Sequence, residues 1–263
     1  MPILEHPYLD KFKEEISYHQ SIKNVENQKG VHLEWASLIF SEIDLAQSNI
    51  RHESLKILGP ELVSHEWILG GDEPEMEIEV YVSSRGPGIV GNQLLGIASN
   101  TTMARIPYGK SPVGLGHLSI QNAQDNPRSM VWLFYNVCIR ISKYNSALNL
   151  TEPAKQIQEL MERNIVSPLE PCLPKVVDLI LSSPNIRVGQ TVIMDLEICP
   201  RDGEYPFEID VGEKSRNLDL VLEDGFRIGF EAVEPGQGKV ELIIVDTITF
   251  FSNSIVVEID VVT

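Results

Sequence analysis

Basic residues, cysteines and long apolar runs are all scarce in this chain of 263 residues. Lys and Arg number 21 against 38 Asp and Glu, a formal net charge of −17. A chain so short of cations is poorly suited to nucleic acid or an anionic membrane surface, where phosphates must be neutralised. Cys138, Cys172 and Cys199 are odd in number and widely spaced, so they announce neither a disulfide framework nor a zinc site. Buried thiols in a reducing cytosol are the expectation. No stretch approaches the about 18 uncharged apolar residues of a membrane span, since the longest run, Met130 to Ile139, contains Asn136 and is closed by Arg140. Met1 to Glu15 shows no secretory pattern, and the protein is expected to be cytoplasmic.

What is present is apolar alternation. Val192, Met194, Leu196 and Ile198 share one parity, with Asp195 and Glu197 on the other. Phe207, Ile209 and Val211 repeat the pattern, as do Leu218, Leu220 and Leu222, then Phe226, Ile228 and Phe230, then Ile255, Val257, Ile259 and Val261. Period-two side chains give each strand one buried and one wet face. Asp202-Gly203, Asp224-Gly225 and Pro235-Gly236 are turn signals between them. The fold class is therefore mainly β with a few helices (α+β), ending in an antiparallel β-rich region.

The N-terminal part is more mixed. Residues 7–23 read as an amphipathic helix carrying Leu9, Phe12 and Ile16. The odd positions from Val31 to Leu45 favour a long strand, although Leu33, Ser37 and Phe40 also fit a helical face. Met76, Ile78, Val80 and Val82 mark a strand after the Gly70-Gly71-Asp72 turn, and Val131 to Ile141 alternates as one long strand. Thr151 to Asn164 is the clearest helix, with Thr151 as cap and Pro153 in the first turn. Two domains are expected: 1–150, a helix plus a β-rich region with a Gly-rich segment at 85–124, and 151–263, a helix followed by the C-terminal strands.

The short motifs favour structure over chemistry. Gly86-Pro87-Gly88-Ile89-Val90-Gly91 is a literal G-x-G-x-x-G, but no acid follows it until Asp125, so a flexible Gly-rich loop is the better reading. Gly70-Gly71-Asp72-Glu73 matches the start of a diguanylate cyclase signature, with Pro74 in place of its phenylalanine; a β-turn explains it better. His52-Glu53 and His65-Glu66 would converge on paired strands, yet surface histidines are expected. Glu75, Glu77 and Glu79 read as a solvated strand face rather than a cation site. No nucleophile motif stands out, and no cofactor or metal is expected.

One stretch has unusual surface chemistry. Not one acid occurs between Glu79 and Asp125, whereas Arg85, Arg105 and Lys110 do. These three are the candidate contacts for an acidic partner, with acidic strand faces of a second copy as one source.

Leu218-Asp219-Leu220-Val221-Leu222, Phe226-Arg227-Ile228-Gly229-Phe230-Glu231, Val240-Glu241-Leu242-Ile243-Ile244 and Thr247-Ile248-Thr249-Phe250 together resemble the C-terminal end of encapsulins. These are shell-forming proteins with the capsid fold of tailed phages. The resemblance runs from Leu218 to the C-terminus, and no cargo-binding residue is carried over by it. The family's long acidic spine helix has no counterpart, because the Gly-rich segment stands in its place. What the resemblance implies is self-assembly rather than catalysis. The expected function is thus non-enzymatic, in assembly or protein interaction, with an unprotected last strand, Ile255 to Val262, as a reason for self-association. An enzyme or ligand binder with a site assembled from distant residues is the alternative.

Overall fold

Of the 263 residues, a computed structural model describes 7–25, 29–42, 49–99, 106–144, 147–169, 173–199 and 207–263. Seventeen strands and five short helices lie among the described residues, so the fold is mainly β with a few helices. The chain forms two compact units. The first holds Met1–Lys56, Leu62–Cys172 and Ile248–Phe250; the second holds Ile57–Glu61, Leu173–Thr247 and Phe251–Thr263. The division near residue 172 groups the helix that begins at Thr151 with the first unit, whereas the sequence placed it with the C-terminal strands.

The first unit is built on a seven-stranded sheet. Its strands are β2 (Ile50–Gly59), β3 (Leu62–Gly70), β4 (Pro74–Ser83), β5 (Gly109–Lys110), β6 (Leu118–Gln121), β7 (Ser129–Phe134) and β8 (Val137–Lys143), in the order β2-β3-β4-β8-β7-β6-β5. A two-stranded ribbon, β1 (Gly30–Val31) with β9 (Ile165–Val166), stands apart from it. Helices α1 (Pro7–Glu15) and α2 (Tyr18–Asn24) replace the single helix expected at 7–23, because Ser17 takes a left-handed φ of 57° between them. Helix α4 (Pro87–Ser99) packs with α1 and α2 on one face of the sheet, over Tyr81, Leu118, Ile120, Val131, Leu133 and Cys138. Two further helices complete the unit, α3 (Trp35–Glu42) and α5 (Thr151–Arg163).

Four sequence expectations change here. Residues 35–42 form a helix, not a strand, and within it Trp35 and Ile39 are both fully buried. The Gly-rich segment contains a 13-residue helix where loops or short strands were expected. Val131 to Ile141 is two strands, not one, since Phe134 pairs with Val137 across a turn in which Tyr135 takes φ 49°. Thr151 does not cap α5; Asn149 Oδ1 accepts from the Thr151 N–H at 3.0 Å.

The β7–β8 hairpin is central, and almost every residue in it is buried. At its tip Asn136 is fully buried. Its Oδ1 accepts from the Val31 N–H at 2.7 Å, and its Nδ2 donates to the carbonyls of Val31 and Ser83 at 3.4 and 3.3 Å. One carboxamide thus binds the hairpin turn to β1 and to the end of β4.

The second unit is a pair of four-stranded sheets. One has the order β10 (Val176–Leu181), β12 (Thr191–Ile198), β15 (Arg227–Ala232), β14 (Leu218–Asp224); the other β11 (Asn185–Arg187), β17 (Ser252–Val262), β16 (Gly236–Asp246), β13 (Phe207–Lys214). Inward residues of both, among them Val192, Met194, Ile228 and Phe230 with Val240, Leu242, Val257 and Ile259, share one core. All neighbours are antiparallel except β11 and β17. The alternation read from the sequence holds in these strands except β14, where a bulge after Leu220 turns Leu222 to the outer face and Leu220 is exposed; the Asp202-Gly203 turn lies outside the described residues. The last strand is less open than expected, because β11 pairs with its Asp260–Val262 end.

Trp35, Trp67 and Trp132 are the chain's three tryptophans, all in the first unit and all fully buried. Tryptophan fluorescence therefore reports unfolding of that unit alone. Replacing Asn136 with Ala leaves the buried Val31 N–H and Ser83 carbonyl without this partner. We expect a loss of about 2–6 kcal/mol in urea unfolding followed by fluorescence, at about 1–3 kcal/mol for each of the two buried groups so stranded. A variant within 0.5 kcal/mol of the parent, roughly the scatter of surface changes, would contradict this role.

Candidate functional site

Side chains alternate across a sheet, so register decides which polar groups meet. Glu79 pairs with Arg140, Arg140 with Val131, Val131 with Ile120, and Ile120 with Lys110, which places one row on the face that α4 covers further along. Arg140 is the hub of its polar part. Its guanidinium reaches Glu79 at 2.7 Å and Glu77 at 3.7 Å, and its Nε donates to Ser142 Oγ at 3.1 Å. Lys56 meets Glu66 at 2.8 Å on the neighbouring strands, and the Tyr144 hydroxyl donates to Glu77 at 3.1 Å.

Glu77 and Glu79 are therefore not the solvated face the sequence suggested; their side chains are only 12% and 13% exposed. Burial raises the Glu79 carboxyl above its ordinary value, and Arg140 partly offsets this. A carboxylate paired with a guanidinium at this distance is held in place. That is the chemistry of a structural network. Cys138 is fully buried, and burial pushes its thiol far above the ordinary range, so it is inert at neutral pH.

The same face ends in a groove of about 880 Å³ between α1 and the β5–β6 edge. Tyr8, Lys11 and Phe12 line it from α1, and Tyr108, Lys110 and Asn122 from the sheet. β5 is the edge strand. The Ser111 N–H bonds to the Ser119 carbonyl at 2.9 Å, and Gly109 pairs with Gln121 in the same phase. Backbone direction alternates along an antiparallel strand, so the N–H and C=O of Lys110 point away from β6 to the free side.

Of the three cations singled out in the sequence, the two that are described, Arg85 and Lys110, lie apart. Lys110 is exposed and lines the groove. Arg85 is exposed at the β4–α4 junction, where its N–H bonds to Ser83 Oγ at 3.1 Å. Four strand steps separate β4 from β5 in the sheet order, on the order of 19 Å. Arg105 lies outside the described residues. Gly86 does follow a strand and open a helix, so the G-x-G-x-x-G is a strand-to-helix junction and not a flexible loop. Its strand is antiparallel to its neighbours, unlike a dinucleotide fold.

The histidine expectation also changes. His65 is buried, stacked on Trp67 at 4.1 Å and on Phe250 at 4.8 Å. Its Nε2 lies 2.8 Å from Glu53 Oε1, off the line of a directed hydrogen bond, while Trp67 Nε1 donates to the same oxygen at 3.1 Å. The His-Glu pair that forms is thus His65 with Glu53, across strands. His117 stacks on Phe134 at 4.9 Å and meets Tyr135 edge-on at 4.5 Å. Among the described residues no three of His, Cys, Asp and Glu converge as a metal would require, and no helix is long and apolar enough to cross a membrane.

No protein-family description and no curated protein matches the chain. Among solved structures, "Tandem Ig repeats of Dlar" aligns at 12% identity over 80% of this chain and 99% of its own, with a TM-score of 0.26. "Chimeric titin Z1Z2 functionalized with a KLER exogenous peptide from decorin" aligns at 9% identity over 82% and 99%, with a TM-score of 0.25. Scores this low carry no argument. The strand order of the second unit stands by itself: β10-β12-β15-β14 against β13-β16-β17 is the A-B-E-D and C-F-G order of an immunoglobulin-type sandwich. It has neither the tryptophan nor the inter-sheet disulfide found in antibody domains, since no Trp or second Cys lies on its described strands.

Burial lowers the proton affinity of His65 and His117, with Glu53 and Glu162 partly opposing. The unfolded chain then binds more protons than the folded one as pH falls through the ordinary histidine value near 6.5. Stability of the first unit is full above that value and is lost below it. Urea midpoints by fluorescence should fall between pH 7.5 and 5.5, and the fall should shrink in His65→Gln. A midpoint that is flat over this window in the parent would refute the assignment.

Proposed function

We propose that the chain acts by binding protein partners rather than by catalysis, as a component of an assembly or an interaction protein. The groove beside β5 carries this reading. It combines a strand edge that is unpaired among the described residues, exposed aromatic surface and two lysines, of which Lys11 also meets Glu15 of the same lining at 3.7 Å, in a chain of net charge −17. An extended acidic segment fits such a place: its backbone adds a strand to β5 while alternate carboxylates meet Lys11 and Lys110. The buried Glu-Arg network behind the groove keeps the sheet rigid for that purpose. Self-assembly, which the encapsulin resemblance implies, belongs to the same proposal, the acidic segment then coming from a second copy.

The probe is a fluorescein-labelled peptide of alternating Val and Glu. It should bind the parent, more weakly as salt rises. Lys11→Glu with Lys110→Glu should weaken it at least tenfold. Lys110→Pro removes the outward N–H together with the ammonium while breaking no bond to β6, and should weaken binding more than Lys110→Ala, which removes the ammonium alone, with circular dichroism unchanged. No binding to the parent up to about 1 mM, where the binding free energy is only about −4 kcal/mol, or binding equal to the parent's by the double-Glu and Pro variants, overturns the reading.

A further inference from the structure

We infer that β10 is a self-association edge through which two copies pair their sandwich sheets around a two-fold axis at Ile180. The inference does not rest on the groove; it concerns the other unit and another edge. The sandwich has four edge strands, and three are guarded in ways edges commonly are. β13 carries Glu208, Asp210, Glu213 and Lys214, β14 carries Asp219, Glu223 and Asp224, and β11 has only three residues. β10, Val-Val-Asp-Leu-Ile-Leu, holds a single charge and a bulge near Val176. It also exposes Val177 at 61% and Ile180 at 58%.

The register follows from bonds already made. The Ser182 N–H bonds to the Ile193 carbonyl at 2.9 Å, and Ile180 pairs with Asp195 in the same phase. Ile180 and Ser182 thus turn their backbone inward, and Leu179 and Leu181 turn theirs to the open side. Two antiparallel copies of such an edge bond best when Leu179 of one faces Leu181 of the other. Ile180 then sits opposite its own symmetry mate in a non-hydrogen-bonded pair, where side chains are closest. Asp178 falls opposite Ser182, so no like charges meet. A shift of the two-fold by one residue in either direction sets Ile180 against Asp178 or Ser182 instead.

Inward from Ile180 the outer face turns polar: Ile180 pairs with Asp195 of β12, and Asp195 meets Arg227 of β15 at 3.4 Å. The apolar row of Ile193 and Leu222 over Gly229 reaches the edge one step along, at Ser182, so the isologous apolar contact is the Ile180 pair itself. One bond stands against pairing: Asp178 Oδ1 accepts the Leu179 N–H at 2.8 Å. In the pair that N–H goes to the Leu181 carbonyl of the second copy, and the carboxylate turns to water.

Opposite effects from neighbouring residues test this. Sedimentation of the full chain over a concentration series should show a monomer–dimer equilibrium. Ile180→Lys should raise the dissociation constant at least tenfold, and Asp178→Ala should lower it, both with unchanged circular dichroism. Ile180→Cys, with Cys172 and Cys199 changed to Ser, should form a disulfide-linked dimer on mild oxidation. Val256→Cys, equally exposed on the other sheet, should not. A parent that stays monomeric at 200 µM (a free energy of about −5 kcal/mol), a dimer that Ile180→Lys leaves intact, or equal crosslinking at both positions overturns the proposal.

Discussion

A strand pair buried on both faces has no water to satisfy its polar groups, and the first unit is arranged around that constraint. β7 and β8 are such a pair, so their backbone bonds must close within the sheet and each face needs cover. Their turn cannot be left to solvent either. Asn136 answers at that point, with a carboxamide whose two ends bind β1 and the last residue of β4. Without an acceptor and a donor on one short side chain, three chain segments would meet there with unpaired groups.

The same constraint explains the polar row across β3, β4 and β8. Glu79 and Arg140 are partly withdrawn from water, and each makes sense only with the other. A carboxylate there alone would be driven to its neutral form, and an unpaired guanidinium would carry a large desolvation penalty. Ser142, itself bonded to Ser129 at 3.1 Å, orients the guanidinium from the side. His65 belongs to a different solution. Its ring stacks on both Trp67 and Phe250, which also meet each other at 6.0 Å, and Phe250 adopts φ 60° at full burial to lie there.

The sandwich strands were legible in the sequence because each has one wet face, which forces alternation. Where both faces are buried the boundary is lost: β7 and β8 are buried almost throughout and read as one long strand, with Tyr135 and Asn136 leaving the turn between them unmarked. Helix α4 was hidden for another reason. Its Gly91 looks like flexibility but serves packing, since a Cβ there would lie 2.7 Å from Ile22 and 2.8 Å from the Tyr18 hydroxyl. Val90, Leu94 and Ala98, four apart behind Pro87 in the first turn, were the helical signal available. Helix α3 was ambiguous because Trp35 and Ile39 satisfy either period. The groove was half legible: Lys110 stood out by its acid-free neighbourhood, while Lys11 and Tyr8 arrive from a helix about a hundred residues away, which no local pattern reveals.

Edges separate the two units more sharply than cores do. A strand edge can be guarded by charge, by shortness or by a covering element. β2 runs ten residues at the rim of the large sheet and carries Arg51, His52, Glu53 and Lys56. β5, at the opposite rim, is only two residues long and carries one lysine. A short edge is safe from indiscriminate pairing because few bonds can form on it. It becomes selective when a neighbouring surface supplies the rest of the contact, and in the proposed function α1 supplies it through Tyr8, Lys11 and Phe12. Shortness and the groove are then parts of one proposed arrangement: backbone bonding alone would be too little to hold a segment at β5, so side-chain chemistry in the groove would decide which segment stays.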